Sequence, residues 1–382
     1  MEQQRRALEE AGHHVVMVSA SRDHGRRFRR VGDGLQVRPR FILPGVDLPV
    51  VVNDPAVVDV LEEFFRDAAI ELVHVQTEFG LAHAAATAAK KLGIPVVHTV
   101  HTFYWSSGGR WHAPLAASVR RCLQGVIRWQ IPRKAFAKGP LDNVLRNLTL
   151  AMALRADAVV SPSAHQARDL EAAGVLEPVA VVPNPVAAPR TPPVPLSRAQ
   201  AEVPVFLWVA RCEAVKRPLA FAQAAIAALP RTSGGFSVDF VGDGAQLHAL
   251  RRLAATHPQL RVHGALDNAA VLRLMDASSA VVLSSLGFDN QPMTIAEAVS
   301  RERGVLYCDP QLSEGLARAG YLSLSPDVAG LADALVALVS NPALLLDLSR
   351  GAAADAAEFS AATFVKRILE VYRAGSGGDA AS

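Results

Sequence analysis

Short apolar runs alternate with helix-periodic segments along most of this chain. In the first half, residues 14–19, 72–76, 95–100, 158–161 and 179–182 read as strands, with helices over 57–65 and 81–91. The second half repeats the style with strands at 205–209, 237–241, 261–263, 280–283 and 305–307. Such alternation is the signature of a parallel sheet with crossover helices. The pattern therefore predicts an α/β chain of two doubly wound, Rossmann-like domains facing a cleft. One part of the pattern is missing. The chain opens on a charged helical stretch, so the central first strand of a 3-2-1-4-5 sheet, with its glycine-rich turn, is absent. Either the true start lies upstream or the domain is degenerate.

Punctuation divides the chain. Residues 1–186 read as one domain, 187–203 as a proline-rich linker and 204–357 as a second domain. A C-terminal helix over 358–373, packing back on the first domain, and a flexible tail over 374–382 complete the reading. The net charge of +3 is too small to imply nucleic-acid binding. No run approaches the length of apolar sequence needed to cross a bilayer, and the N-terminus does not resemble a secretory signal. Cys122, Cys212 and Cys308 form no metal spacing and no even disulfide framework, which favours a reducing, cytoplasmic compartment.

The densest chemistry lies in Phe288-Asp289-Asn290-Gln291-Pro292-Met293-Thr294-Ile295-Ala296-Glu297. Pro292 suits the first helical position. Asp289 falls in the loop ahead of that helix, and Glu297 lies about 7.5 Å further along the axis from Pro292. Between the carboxylates, the unpaired N–H groups of the first turn form an anion site. Two carboxylates that accept hydroxyls around such a helix end describe a receptor for a sugar nucleotide. Arg211 and Lys216 follow the strand at 205–209 and are placed to neutralise a diphosphate, although isolated basic residues are more often solvated loop charges. Gly242 and Gly244 permit either close approach to a nucleotide or a plain strand-to-helix turn. His98 reads as a satisfied core histidine. His101, three residues further along the same strand, reads as a site residue on its other face.

Residues 110–146 are basic, with Arg120, Arg121 and Arg128 off the apolar face of a helix and Trp111 and Trp129 beside them. This segment is either a surface for an anionic bilayer or a solvated helix covering its domain. The chain has no Asp-x-Asp pair, so metal-independent chemistry is expected.

With these residues in place, the chain resembles the retaining glycosyltransferases of family 4, which have the GT-B fold. The resemblance rests on the order of His98-Thr99-Val100-His101-Thr102-Phe103-Tyr104, Val182-Pro183-Asn184, Val209-Ala210-Arg211 with Lys216, Val241-Gly242-Asp243-Gly244, and Gly287-Phe288-Asp289 through Glu297-Ala298. It implies that Glu297 takes the ribose hydroxyls and Asp289 the donor sugar. Arg211 and Lys216 would stabilise the leaving diphosphate, His101 would line the reaction centre, and Met293 and Thr294 would lie by the diphosphate. Asp289 stands where the family usually has a longer Glu. The implied donor is a GDP- or UDP-hexose. The implied acceptor is a lipid or glycan hydroxyl, with a membrane glycolipid as the expectation, made at the inner face of the plasma membrane. A nucleotide-sugar epimerase and a non-catalytic nucleotide-sugar binder are the alternatives.

Overall fold

The computed structural model describes residues 1–22, 25–43, 48–104, 113–175, 178–188, 191–233 and 235–377. The chain forms two compact units, Met1–Val182 with Val365–Ser382, and Pro183–Phe364.

The first unit opens with α1 (Glu2–Glu10), followed by β1 (Val18–Ala20), β2 (Phe28–Val31), β3 (Gly34–Val37), β4 (Phe41–Leu43) and β5 (Leu48–Val50). Next come α2 (Pro55–Asp67), β6 (Val73–Val75), α3 (Gly80–Lys91), β7 (Val96–Thr99), α4 (Ala113–Ile127), α5 (Pro140–Ala153), β8 (Ala158–Ser161), α6 (Ala164–Ala172) and β9 (Ala180–Val181). Helix α2 shows why these elements form. Pro55 sits in its first turn, the Asp54 carboxylate accepts the Val57 N–H, and Val57, Val58, Leu61, Phe64 and Phe65 bury one face. Each such side chain contributes roughly 1.5–3 kcal/mol of burial.

The sheet of this unit lies in separate pieces. One has the order β1-β3-β2 and another β6-β7-β8-β9, and among the described residues no strand joins β1 to β6. The first strand is shorter than the 14–19 expectation, because only Val18–Ala20 pairs with β3. The hairpins β2–β3 and β4–β5 were not foreseen. Arg29, Arg30 and Gln36 interrupt the apolar pattern in the first of them.

The second unit holds α7 (Arg198–Glu202), β10 (Val205–Val209), α8 (Pro218–Ala228), β11 (Ser237–Val241), α9 (Leu247–Ala254), β12 (Leu260–Gly264), α10 (Asn268–Ala277) and β13 (Ala280–Leu283). It continues with α11 (Met293–Ser300), β14 (Gly304–Tyr307), β15 (Gly320–Leu322), α12 (Val328–Ser340) and α13 (Pro342–Asp355). Its sheet is continuous and parallel, in the order β12-β11-β10-β13-β14-β15. Strand β13 is buried at every position and β11 at nearly every one, as expected for strands covered on both faces.

The proline-rich run is not a free linker. Leu196 and Ala201 are buried in the second core, Arg303 donates to the Val194 carbonyl at 2.8 Å, and α7 carries a full capping box. Pro189 and Arg190 lie outside the described residues. The chain then closes with α14 (Ala361–Gly375), whose residues from Val365 belong to the first unit. Ala374 and Gly375 continue this helix, so the tail begins later than residue 374, and 378–382 lie outside the described residues.

Candidate functional site

In the second unit, β10 runs beside β11 on one side and β13 on the other. The chain reverses its direction of sheet growth between β10 and β13. Ligands in such sheets bind beyond the carboxyl ends of the strands at this switch point. The loops leaving β10 and β13 carry Lys216 and Asp289, and the structure brings these two together as an ion pair. Both side chains are largely shielded, at 16% and 8% exposure. Asp289 also accepts from the Ser285 hydroxyl, and the Phe288 ring lies 5.3 Å from the Lys216 ammonium.

Buried side chains hold the turn that carries this pair. Buried Trp208 donates its indole N–H to Ser284 at 2.9 Å, and the Ser284 hydroxyl donates to the Lys216 carbonyl at 2.8 Å. The following loop is anchored by the Gly287 N–H on Asp309 at 2.6 Å and by Asn184, which donates to the Gln291 side chain at 2.7 Å. Arg211 is exposed at the end of β10.

Pro292 is the N-cap of α11 rather than its first helical residue. Its φ of −66° fits either position, but its ψ of 115° is extended, and its carbonyl accepts the Ile295 N–H. Met293 and Thr294 therefore open the helix, where backbone N–H groups have no intrahelical acceptor. The Thr294 hydroxyl is engaged with the Val209 carbonyl at 3.3 Å, which leaves its backbone as the group to offer. Glu297 lies deeper in the helix, and burial raises its carboxyl above the ordinary range, partly offset by a bond from Asn268 at 3.4 Å.

Gly242 and Gly244 are explained by packing. A Cβ on Gly242 would stand 1.8 Å from the Ala210 carbonyl oxygen, and its φ of 141° disfavours other residues. The turns after β10 and β11 are stitched together by Cys212 N–H to the Asp243 carbonyl (2.8 Å) and Gln246 N–H to the Cys212 carbonyl (2.7 Å). These bonds hold the turn through Gln246, and α9 starts at Leu247.

In the first unit, β7 ends at Thr99, so His98 and His101 do not share a strand. His98 is buried, but its Nδ1 has no hydrogen-bond partner among the described residues, so it is not the satisfied core residue expected. His101 lies in the loop beyond, with Nε2 donating to the Gln76 carbonyl oxygen at 2.6 Å. Burial and then the Met1 amino group push its pKa down to about 4. Tyr104 stacks on His165 and donates to Asp169 at 2.6 Å.

The basic segment departs from its reading as a uniform charged face. Arg120 donates to the Ile131 and Pro132 carbonyls at 2.9 and 2.6 Å. Arg128 follows the end of α4 with a φ of 49°, and the Arg155 guanidinium lies 4.3 Å from the Trp129 ring centroid. Arg121 is exposed. Arg110 and Trp111 lie outside the described residues.

Sequence reasoning missed Asn268 and Ser285, and gave Phe288 no role of its own. Asp267 caps α10 by accepting the Ala270 N–H, a detectable helix start, but nothing in that signal aims Asn268 at Glu297.

Two Rossmann-like units, one with a complete switch point carrying these groups, define the GT-B fold. A family model described as Glycosyltransferase Family 4 matches residues 1–190, and one for Glycosyl transferases group 1 matches 203–341. The chain belongs to the family 4-like glycosyltransferases. A search of curated protein sequences finds no significant match.

Solved structures agree on the fold. Sucrose-phosphate synthase from Thermosynechococcus elongatus superposes with a TM-score of 0.67 at 16% identity, covering 97% of this chain and 91% of that one. HepE of Anabaena, in complex with UDP-glucose, gives 0.61 at 16%, covering 94% and 99%. TarM of S. aureus, in a mutant complex that includes UDP, gives 0.59 at 13%, covering 82% of this chain and 58% of TarM. The chain thus spans little more than half the length of TarM.

Proposed function

We propose that the protein moves a hexose from a GDP- or UDP-hexose to a hydroxyl acceptor, with retention at the anomeric carbon and without a metal. The observation that carries this reading is the meeting of Lys216 and Asp289 at the β10/β13 switch point, where α11 begins. Family membership and neighbours crystallised with UDP or UDP-glucose support it.

As the glycosidic bond breaks, negative charge gathers on the departing diphosphate. Lys216, Arg211 and the backbone of Met293 and Thr294 stabilise it as fixed dipoles and charges, an effect worth about 3 kcal/mol per well-placed donor. Before the donor arrives, Asp289 neutralises Lys216. The diphosphate then supplies Lys216 with a second anion, which releases Asp289 to accept from the sugar hydroxyls. Glu297, ionised, takes the ribose hydroxyls. The leaving phosphate oxygen receives the acceptor proton, and His101 serves the reaction centre. A product-mass screen with GDP-mannose and UDP-glucose tests the assignment. No glycosylated product from either donor, across lipid and soluble acceptors, would defeat it. Anomeric proton coupling in the product reads retention directly.

A membrane glycolipid is the proposed acceptor, with the protein peripheral on the cytoplasmic face. Exposed Arg121 and Arg128 and half-exposed Trp129 support this. Equal recovery with neutral and anionic vesicles in flotation would remove that support. The interrupted sheet of the first unit favours a second reading, a non-catalytic nucleotide-sugar binder. Calorimetric UDP binding with no turnover would establish it.

A further inference from the structure

A hydrogen-bonded chain runs from the C-terminal helix to His101 within the first unit. Tyr372 Oη lies 2.8 Å from His74 Nδ1, and Gln76 Nε2 lies 3.1 Å from His74 Nε2. At its other end, Gln76 Oε1 lies 2.6 Å from His101 Nε2. The chemistry of each group fixes its direction. An amide nitrogen only donates, so His74 Nε2 accepts and the His74 proton sits on Nδ1, donated to Tyr372. The Thr99 hydroxyl, 2.7 Å away, donates to the same Nε2. An amide oxygen only accepts, so His101 carries its proton on Nε2, and Nδ1 holds the ring's lone pair. Burial, then His101, pushes the His74 pKa down to about 3, so this ring stays neutral and the pattern of donors persists.

We infer that Gln76, His74 and Tyr372 are positioning residues for His101. They fix its imidazole in the Nε2–H tautomer and hold the ring in place, so that the C-terminal helix sets the state of that histidine. The catalytic meaning of this chain rests on the transferase reading. The tautomer itself does not.

The test is nitrogen-15 NMR of the full-length protein labelled at histidine, without donor, combined with steady-state kinetics. In the wild type, His101 Nδ1 should resonate as an unprotonated nitrogen and Nε2 as a protonated one. Gln76→Leu keeps the bulk of the side chain and removes its oxygen, so the two signals should move toward a mixed population. Tyr372→Phe should move them in the same direction by less. Gln76→Glu restores an acceptor and adds a negative charge, so the Nε2–H tautomer should return and the His101 pKa rise by about one unit or more. Among the described residues, the titratable groups that act on His101 include His74, His98 and the Met1 amino group, and these residues are unchanged in all three variants. For an active enzyme, kcat should fall on the order of tenfold to a hundredfold in Gln76→Leu, with KM for the donor nearly unchanged.

Unchanged His101 signals in folded Gln76→Leu and Tyr372→Phe would overturn the inference, as would an Nδ1–H tautomer in the wild type. An inactive protein with the expected NMR changes would sink the transferase reading and leave the positioning chain standing. Should Gln76→Leu fail to fold, Tyr372→Phe and Gln76→Glu decide the matter.

Discussion

The two units are built to the same plan but differ at their centres. In the second, β10 lies mid-sheet with β11 and β13 beside it, and the loops leaving all three strands carry candidate groups. In the first, no strand among the described residues joins β1 to β6. Its candidate histidine is held by a relay of partly buried polar side chains instead of by a central strand. The second unit therefore organises its site around a continuous strand order, and the first through hydrogen bonds that pass between imidazoles by way of a neutral amide. The two should fail under different insults.

The sharpest contrast is steric. Gly242→Ala places a methyl against the Ala210 carbonyl in a backbone conformation alanine disfavours. It should cost about 5 kcal/mol, combining overpacking with strain. Hydrogen exchange resolved by peptide should show the loss in the second unit, with the first unchanged.

Acid should strike the first unit instead. Burial, then nearby charge, lowers the pKa values of His83 and His98 to about 3. A depressed histidine pKa means that the stability is complete above about pH 6.5 and is lost as pH falls from there toward 3. At pH 5 the two residues together give up about 4 kcal/mol. Exchange protection should collapse first in the first unit between pH 6.5 and 5. Earlier collapse of the second unit would contradict the comparison.

The ion pair of the second unit gives a smaller effect. Lys216→Met leaves the shielded Asp289 carboxylate without its cation and should cost about 3 kcal/mol in urea unfolding. The double variant with Asp289→Leu should cost less than this single change. Glu297 has the opposite pH sign to the histidines. Its folded pKa is raised, so stability is greatest below the ordinary carboxyl value and falls as pH rises toward the raised one. Glu297→Gln should flatten that slope. The smallest effect separates two neighbouring arginines. Arg120→Ala should cost about 1 kcal/mol through its lost carbonyl partners, and Arg121→Ala should cost less than 0.5 kcal/mol, both by thermal unfolding.

The same contrast explains what could be read before the structure was in hand. Val205–Val209, Ser237–Val241 and Ala280–Leu283 emerge residue for residue, because interior parallel strands are dominated by apolar residues, interrupted here only by Ser237 and Asp239. The β2–β3 hairpin escapes, since its exposed arginines imitate a loop. At the site, the residue types at 211, 216, 289 and 297 pointed to phosphate and hydroxyl recognition. That Lys216 would meet Asp289 was not legible, because the contact spans two strands and depends on how Ser284 anchors the intervening turn. Gln76 was invisible for a similar reason. A neutral amide gains meaning only from the two imidazoles on either side of it.

The return of residues from Val365 onward to the first unit has a consequence for biosynthesis. A ribosome releases the first unit's strands long before it makes Tyr372, the partner of His74. Until that helix emerges, the histidine relay has an unfilled end, so the domain translated first is the last to be finished.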